Sequence, residues 1–363
     1  MNQPKPLSKL EKIVLIATFV LLSLYGIKVL DLKNKSSSSV GEPLDLQALE
    51  GLGKSEAQQH QRNHQQFIRQ NRIVHGYFAW LNKKFSSSTI NITVHGNRLA
   101  SRCSLIWPPN PKKKNIILVG ASRAFGYGVP DTMTIAYYMQ SRLDLQQKDQ
   151  YCVYNFAQPG YMPEQVFDLS TRIAMTAPPD WNLVYLDGVN EGENPFPDSI
   201  DLPIRRVFTG YLKGQSLLQH LFFKVNPQAA ANYYAESQIF PAASSTETEK
   251  VVDASYHRYC LINSALAAMA EYSRGHFLRV LEPNPSYSRQ PGDYQYSKNP
   301  LRLSNSFYDR ARQGCNRQSF RLLDLSDLKE ADGSNVYVDS GHYGSRINRA
   351  IASTIVKTLF PPQ

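Results

Sequence analysis

Five residues stand in this sequence where chemistry is commonly done. Ser122 follows the apolar run "NIILVGA", Gly160 follows "YCVYNFAQP", Asn190 lies in "YLDGVNEGEN", and Asp339 and His342 are three apart in "VYVDSGHYG". A serine hydroxyl is a weak nucleophile until an imidazole takes its proton, and a carboxylate orients that imidazole. Asp339 and His342 can supply the pair from one loop. Attack on a carbonyl also builds charge on oxygen, which positioned N–H donors stabilise, each for roughly 3–4 kcal/mol. The backbone N–H groups of Ser122 and Gly160 and the side-chain amide of Asn190 suit that role. Each residue also has an ordinary use: Ser and Asp cap helices, while Gly and Asn shape turns. Their common placement at element ends is what points to acyl transfer. Arg123, beside the serine, is either a weak contact for an anionic substrate group or a surface residue.

The elements that must hold these residues alternate between strand and helix. "NIILVGA", "QYCVYNFA", "WNLVYLDGV", "GHFLRVLEP" and "SFRLLDLS" read as five strands. "TIAYYMQSRLDLQ", "MPEQVFDLSTRIAM" and "YHRYCLINSALAAMAEYS" read as helices. "YGSRINRAIASTIVKTLF" closes the chain as an amphipathic helix with Ile347, Ile351, Ile355 and Leu359 on one stripe. This alternation predicts a five-stranded parallel sheet covered on both faces. Ligands of such sheets bind beyond the C-terminal strand ends, where Ser122, Gly160 and Asn190 fall. An aromatic-rich interval at about 193–255 is either a lid over those ends or a packed excursion.

Lys5, Lys9 and Lys12 precede "IVLIATFVLLSLYGIKVL", an 18-residue run from Ile13 to Leu30 whose single charge is Lys28. As a helix it would span roughly 27 Å, the thickness of a bilayer's hydrocarbon. The basic flank predicts a cytoplasmic tail at 1–12, a signal anchor at 13–30, and the remainder in the periplasm or outside the cell. Residues 31–113 then read as a serine-rich spacer, a stalk and an N-terminal segment, with 44–84 offered as a surface for an envelope partner. His60 and His64, four apart in that stalk, have a metal-like spacing but no third ligand nearby, so a solvated helical face is expected. His220, His257 and His276 lack an Asp at triad spacing and read as partly buried helix residues.

The chain has 363 residues and a net charge of +10. Because the basic residues are dispersed, no nucleic-acid partner is expected. Cys103, Cys152, Cys260 and Cys315 show no CxxC spacing, which argues against zinc and dithiol chemistry. Export would allow them to pair, while Cys152 can equally be a buried apolar residue in its strand. "GASRAFGYG" fits neither phosphate-loop nor dinucleotide patterns, so neither cofactor nor metal is expected. Asn91-Ile92-Thr93 is a glycosylation sequon that has meaning only in a eukaryotic secretory route.

The order Ser122, Gly160, Asn190 and His342, with Asp339 at the first position of a DxxH, resembles the SGNH hydrolase superfamily, also called GDSL esterases. The likeness covers roughly Lys114 to Phe360, so the catalytic domain is expected at 114–363. It implies a flavodoxin-like three-layer α/β/α sandwich, with Ser122, Asp339 and His342 as the triad. "FGYGV" and "PGYMPEQ" are similar to bacterial envelope-associated members. Two departures stand out: Ala121 replaces the usual Asp before the serine, and Asn190 is followed by Glu191 rather than Asp. The function expected is a membrane-anchored serine esterase or deacylase acting on an acylated glycan or lipid. Two alternatives use the same fold: an O-acyltransferase, and a catalytically idle scaffold in an envelope complex.

Overall fold

The computed structural model describes residues 44–70, 72–75, 79–188, 245–283, 301–315, 320–328, 336–339 and 341–361. The apolar run Ile13–Leu30, the serine-rich spacer, Asn190, His220 and most of the aromatic interval lie outside them.

Among the described residues a short 3-10 turn (Leu46–Ala48) is followed by helix α1 (Lys54–Gln70). Two short antiparallel pairs follow, β1 (Arg72–His75) with β2 (Ala79–Asn82), and β3 (Phe85–Ser86) with β4 (Asn91–Ile92). The alternating part then runs β5 (Lys114–Gly120), α2 (Ser122–Phe125), α3 (Ile135–Gln146), β6 (Tyr151–Asn155), α4 (Pro163–Ala174) and β7 (Trp181–Asp187). It continues with α5 (Ser245–Tyr272), β8 (His276–Leu281), α6 (Leu301–Arg312), β9 (Arg321–Asp324) and α7 (Ser345–Leu359).

The sheet order is β6-β5-β7-β8-β9, and every neighbouring pair is parallel. Numbered by sequence within the sheet this is 2-1-3-4-5, the flavodoxin-like order, which reverses direction between β5 and β7. Ile116 pairs with Val153 on one side of β5 and Leu118 with Val184 on the other. Both faces of β5 are covered, which is why its sequence is an unbroken apolar run. Ile116 and Leu118 pack with Ile135 and Met139 of α3 and with Ile347, Ile351 and Ile355 of α7. Ile117 and Val119 face the other way, against Val166 and Ile173 of α4 and Leu266 of α5. Each such fully buried aliphatic side chain contributes about 1.5–3 kcal/mol before entropy is counted. The result is the expected α/β sandwich around a five-stranded parallel sheet.

Local chemistry sets the helix starts. The Thr134 hydroxyl accepts from the Tyr137 N–H at 3.1 Å and caps α3. Pro163 opens α4 where no intrahelical N–H is needed, while the Gln165 side chain accepts from the Met162 N–H at 2.9 Å.

Three expectations need correction. The stalk is not detached, since Leu44 to Gln363 form one unit and the domain therefore begins well before 114. Leu44, Ala48 and Leu49 pack with Val129, Met133 and Val338. Ala57, His60, His64 and Phe67, at helical spacing on α1, are all buried. Half of that stripe is histidine, so its hydropathy reads as solvent-facing. Secondly, α5 begins at Ser245, so the last part of the supposed insertion belongs to the crossover helix. Thirdly, His276 starts strand β8 and is exposed, as is His257 on α5.

All four cysteines are paired, Cys103 with Cys152 and Cys260 with Cys315. Cys152 is thus a buried strand residue that also carries a covalent tie. Among the described residues, no helix is long and apolar enough to cross a membrane.

Candidate active site

Strand β5 ends in a conformation that its last residue alone can supply. Gly120 has φ +146°, and a Cβ there would lie 2.1 Å from the Leu186 carbonyl of β7. Ala121 is extended and Ser122 starts α2, which Gly126 ends in a left-handed conformation, its N–H bonding to the Ser122 and Arg123 carbonyls. The chain therefore turns sharply from strand to helix at Ser122. Its own N–H lies in the first turn, where a helix offers no acceptor.

His342 hangs from a tight loop ahead of α7. The Val338 N–H donates to the His342 carbonyl at 2.8 Å, and the Gly344 N–H to the Val336 carbonyl at 2.7 Å. Inside this loop Asp339 Oδ1 accepts from the N–H groups of Gly341 and His342, at 2.9 and 2.8 Å. Both carboxylate oxygens lie 2.8 Å from His342 Nδ1. On the far side of the ring, His342 Nε2 lies 2.8 Å from Ser122 Oγ. Burial alone would push the Asp339 carboxyl up, but the hydrogen bonds and charge of His342 and the Gly341 N–H more than offset it. The carboxyl is held below its usual range and stays ionised. With Asp339 ionised, Nδ1 carries the ring proton and Nε2 is left to accept from the serine hydroxyl. Asp339 is 8% exposed, whereas Ser122 and His342 are half-buried.

Gly160 lies exposed in a turn after β6, with φ +79°. That turn is stitched to the strand that leads into Ser122, because the Gln158 N–H donates to the Gly120 carbonyl at 3.1 Å. Asn190 lies outside the described residues. Gly188, two residues earlier, follows β7 directly, and its N–H donates to Asp187 Oδ1 at 2.8 Å. Arg123 is not on the surface: it is 7% exposed, with Nε donating to the Gly341 carbonyl at 2.5 Å and Nη1 3.2 Å from Glu282 Oε1. Tyr343 donates to Glu282 Oε2 at 3.2 Å and to the Pro283 carbonyl at 2.5 Å. Burial, with Glu282 beside it, pushes the Tyr343 phenol well above its ordinary value, so it remains a donor.

A wall behind the His342 ring comes from α1 and the loop after α2. The Tyr127 ring lies 4.6 Å from the His342 ring, and His64 meets Tyr127 edge-on at 4.5 Å. His60 Nε2 lies 3.0 Å from the Gly128 carbonyl and Nδ1 2.9 Å from the Thr89 hydroxyl, so Nε2 carries the proton. Burial lowers the pKa of His60 to about 4 and of His64 to about 3, with His60 and nearby Arg98 adding to the second effect. Both are neutral rings, not a solvated face. Arg98, 1% exposed, donates to the carbonyls of Phe125, Gly126 and Val129 and pairs with Asp131 at 2.9 Å. It thereby fixes the loop that carries Tyr127.

Sequence reasoning did not assign Tyr127, Arg98, Glu282 or Tyr343. Glu282 was within reach, since it follows β8 at the same sheet edge as the other strand-end residues. Arg98 carried no local signal, because its partners are carbonyls of a loop about thirty residues on.

No family model matches the sequence, and no curated protein matches it. Among solved structures, it is similar to a lipolytic protein of the G-D-S-L family from Veillonella parvula, at 14% identity and TM-score 0.41, over 69% of this chain and 100% of the other. It is similar to a psychrotrophic esterase from Pseudoalteromonas sp. at 12% and 0.38, over 68% and 97%. A third, the inhibitor-bound aryl esterase of M. smegmatis, stands at 10% and 0.39, over 68% and 98%. These identities and TM-scores are low, and the chemistry of the site rests on its own side chains.

Proposed function

We propose that this chain is a serine ester hydrolase of the SGNH type, anchored in a membrane through Ile13–Leu30, with its catalytic domain on the extracytoplasmic side and an acylated glycan or lipid as substrate. The observation that carries the reading is the unbroken hydrogen-bonded line from Asp339 through His342 to Ser122. In this mechanism Nε2 of His342 takes the Ser122 proton as Oγ attacks the ester carbonyl. Asp339 holds the ring orientation and stabilises the imidazolium that forms. The N–H groups of Ser122 and Gly160, with the Asn190 amide, receive the oxyanion. His342 then gives its proton to the departing alcohol. Water, activated by the same ring, attacks the acyl-serine and releases the acid. The basic flank ahead of Ile13 and the pairing of all four cysteines support an extracytoplasmic address.

The test is reaction of the full-length chain, purified in mild detergent, with a fluorophosphonate probe. Labelling of the wild type that disappears in Ser122→Ala is expected. A folded wild type that is not labelled would sink the hydrolase reading and favour a scaffold. Faster acyl transfer to a sugar acceptor than to water would redirect it to an acyltransferase.

A further inference from the structure

The buried ion pair Arg123–Glu282 lies outside the triad yet touches the loop that carries the base. Arg123 follows the nucleophile in sequence. Its Nε donates to the Gly341 carbonyl, and the same peptide unit's N–H, that of His342, donates to Asp339 Oδ1. The peptide from which His342 hangs is therefore gripped at both ends, by a cation on its oxygen and a carboxylate on its hydrogen. A cation on the carbonyl polarises the amide and strengthens the N–H as a donor to Asp339.

Glu282 aims the guanidinium. The two side chains are 8% and 3% exposed, so neither charge is stable there without the other. Glu282 is itself fixed: its N–H donates to the Asp187 carbonyl at 3.0 Å, its carbonyl accepts from the Tyr308 hydroxyl at 3.1 Å, and Oε2 accepts from Tyr343. The Arg123 guanidinium also lies over the Tyr343 ring, 5.5 Å from its centre. The ends of β7 and β8, the nucleophile turn and the start of α7 thus meet at one buried cation.

We propose that Arg123, aimed by Glu282, is a positioning residue that sets the Ser122–His342 approach by holding the Gly341–His342 peptide. The inference rests on the serine-hydrolase reading above. The contacts of Arg123 described above are to the Gly341 carbonyl, Glu282 and the Tyr343 ring, so its influence on the reaction runs through the His342 peptide. A small displacement of a general base costs rate rather than affinity, so the effect belongs in the chemical step.

The experiment measures fluorophosphonate inactivation of the full-length chain, separating the maximal rate of inactivation from the half-saturating probe concentration. Arg123→Met removes the donor at similar volume, Arg123→Lys keeps charge without the fork, and Glu282→Gln keeps shape without charge. Thermal unfolding of each variant fixes a temperature at which all are folded. The maximal rate is expected to fall by about ten- to a hundredfold in Arg123→Met and Arg123→Lys, and less in Glu282→Gln, with half-saturation within about twofold. A wild type that reacts while folded Arg123→Met reacts at the same maximal rate overturns the inference. So does a change confined to half-saturation, or the failure of all three variants to fold, which would make the pair a stability element. An unreactive wild type overturns the hydrolase reading instead.

Discussion

The Tyr127 ring lies 4.6 Å from that of His342, tilted by 39°, and His64 presses on Tyr127 from behind. The His342 imidazole is thus held by a carboxylate at one nitrogen and by a tilted aromatic ring against its side. Tyr127→Ala would remove that ring and let the imidazole swing. The maximal rate of fluorophosphonate labelling should fall about tenfold. Tyr127→Phe, which keeps the ring, should recover most of it. Equal rates in Ala and wild type would show that Asp339 alone orients the base.

Asp339→Asn tests the tautomer. An amide at that position cannot accept from two backbone N–H groups and also hold Nδ1–H with the strength of a carboxylate. Hydrolysis of a simple aryl ester should drop on the order of 10³–10⁴-fold with the fold retained. A loss under tenfold would mean that His342 works without its partner.

The buried histidines of α1 give stability a pH dependence of definite sign. His60 and His64 have pKa values lowered to about 4 and about 3, below the 6.5 of the unfolded chain. Between those values the unfolded state binds more protons, so stability rises with pH. Their contribution is complete above pH 6.5 and shrinks as pH falls towards 4, on the order of 3 kcal/mol for His60 alone. His64→Phe keeps a ring against Tyr127 and removes one titration. Urea unfolding at pH 7 and 4.5 should show the variant losing about 2 kcal/mol less than wild type on acidification. An identical loss in both would remove His64 from the account.

Gly120→Ala puts a methyl 2.1 Å from the Leu186 carbonyl at φ +146°. The strain falls where β5 meets β7, so it should cost about 3 kcal/mol or more and move the thermal midpoint down sharply. A midpoint within a degree or two of wild type would mean that the strand ends can part.

The two disulfides close loops of 49 and 55 residues. The chain-entropy account gives each about 4 kcal/mol, so Cys103→Ser/Cys152→Ser and Cys260→Ser/Cys315→Ser should lower stability comparably. Each double variant, measured by denaturant unfolding against wild type, reads this directly. Wild type that unfolds identically with and without reductant would show the bonds to be dispensable.

The sheet could be read from the sequence because its strands are short, apolar runs bounded by turns, and their order follows from the helices between them. The ends of β5 and β6 carried Ser122 and Gly160 with them, since a parallel sheet brings its C-terminal strand ends to one edge, while Asn190 lies outside the described residues. The triad loop was legible for the same reason: Asp339 and His342 are neighbours in sequence. Helix α1 was not, because its buried face carries His60, Asn63 and His64 beside Ala57 and Phe67, and the bonds that offset the burial of His60 and Asn63 reach residues far along the chain. The burial of Arg123, read as a substrate contact or a surface residue, was not legible on similar grounds. Its partners Glu282 and Gly341 lie 159 and 218 residues away, and no local pattern announces a buried cation.

The packing of α1 has a consequence for where the chain can be cut. A fragment beginning at Lys114, where the strand-helix alternation starts, would encode every strand of the parallel sheet together with Ser122, Asp339 and His342. It would lack His64 behind Tyr127, Arg98 beneath the nucleophile loop, and Asp45, whose N–H donates to the Val338 carbonyl at 2.6 Å. The smallest transplantable module is therefore Leu44 onward, and a graft or truncation designed on the motif blocks alone would carry Ser122, Asp339 and His342 without the frame that aligns them.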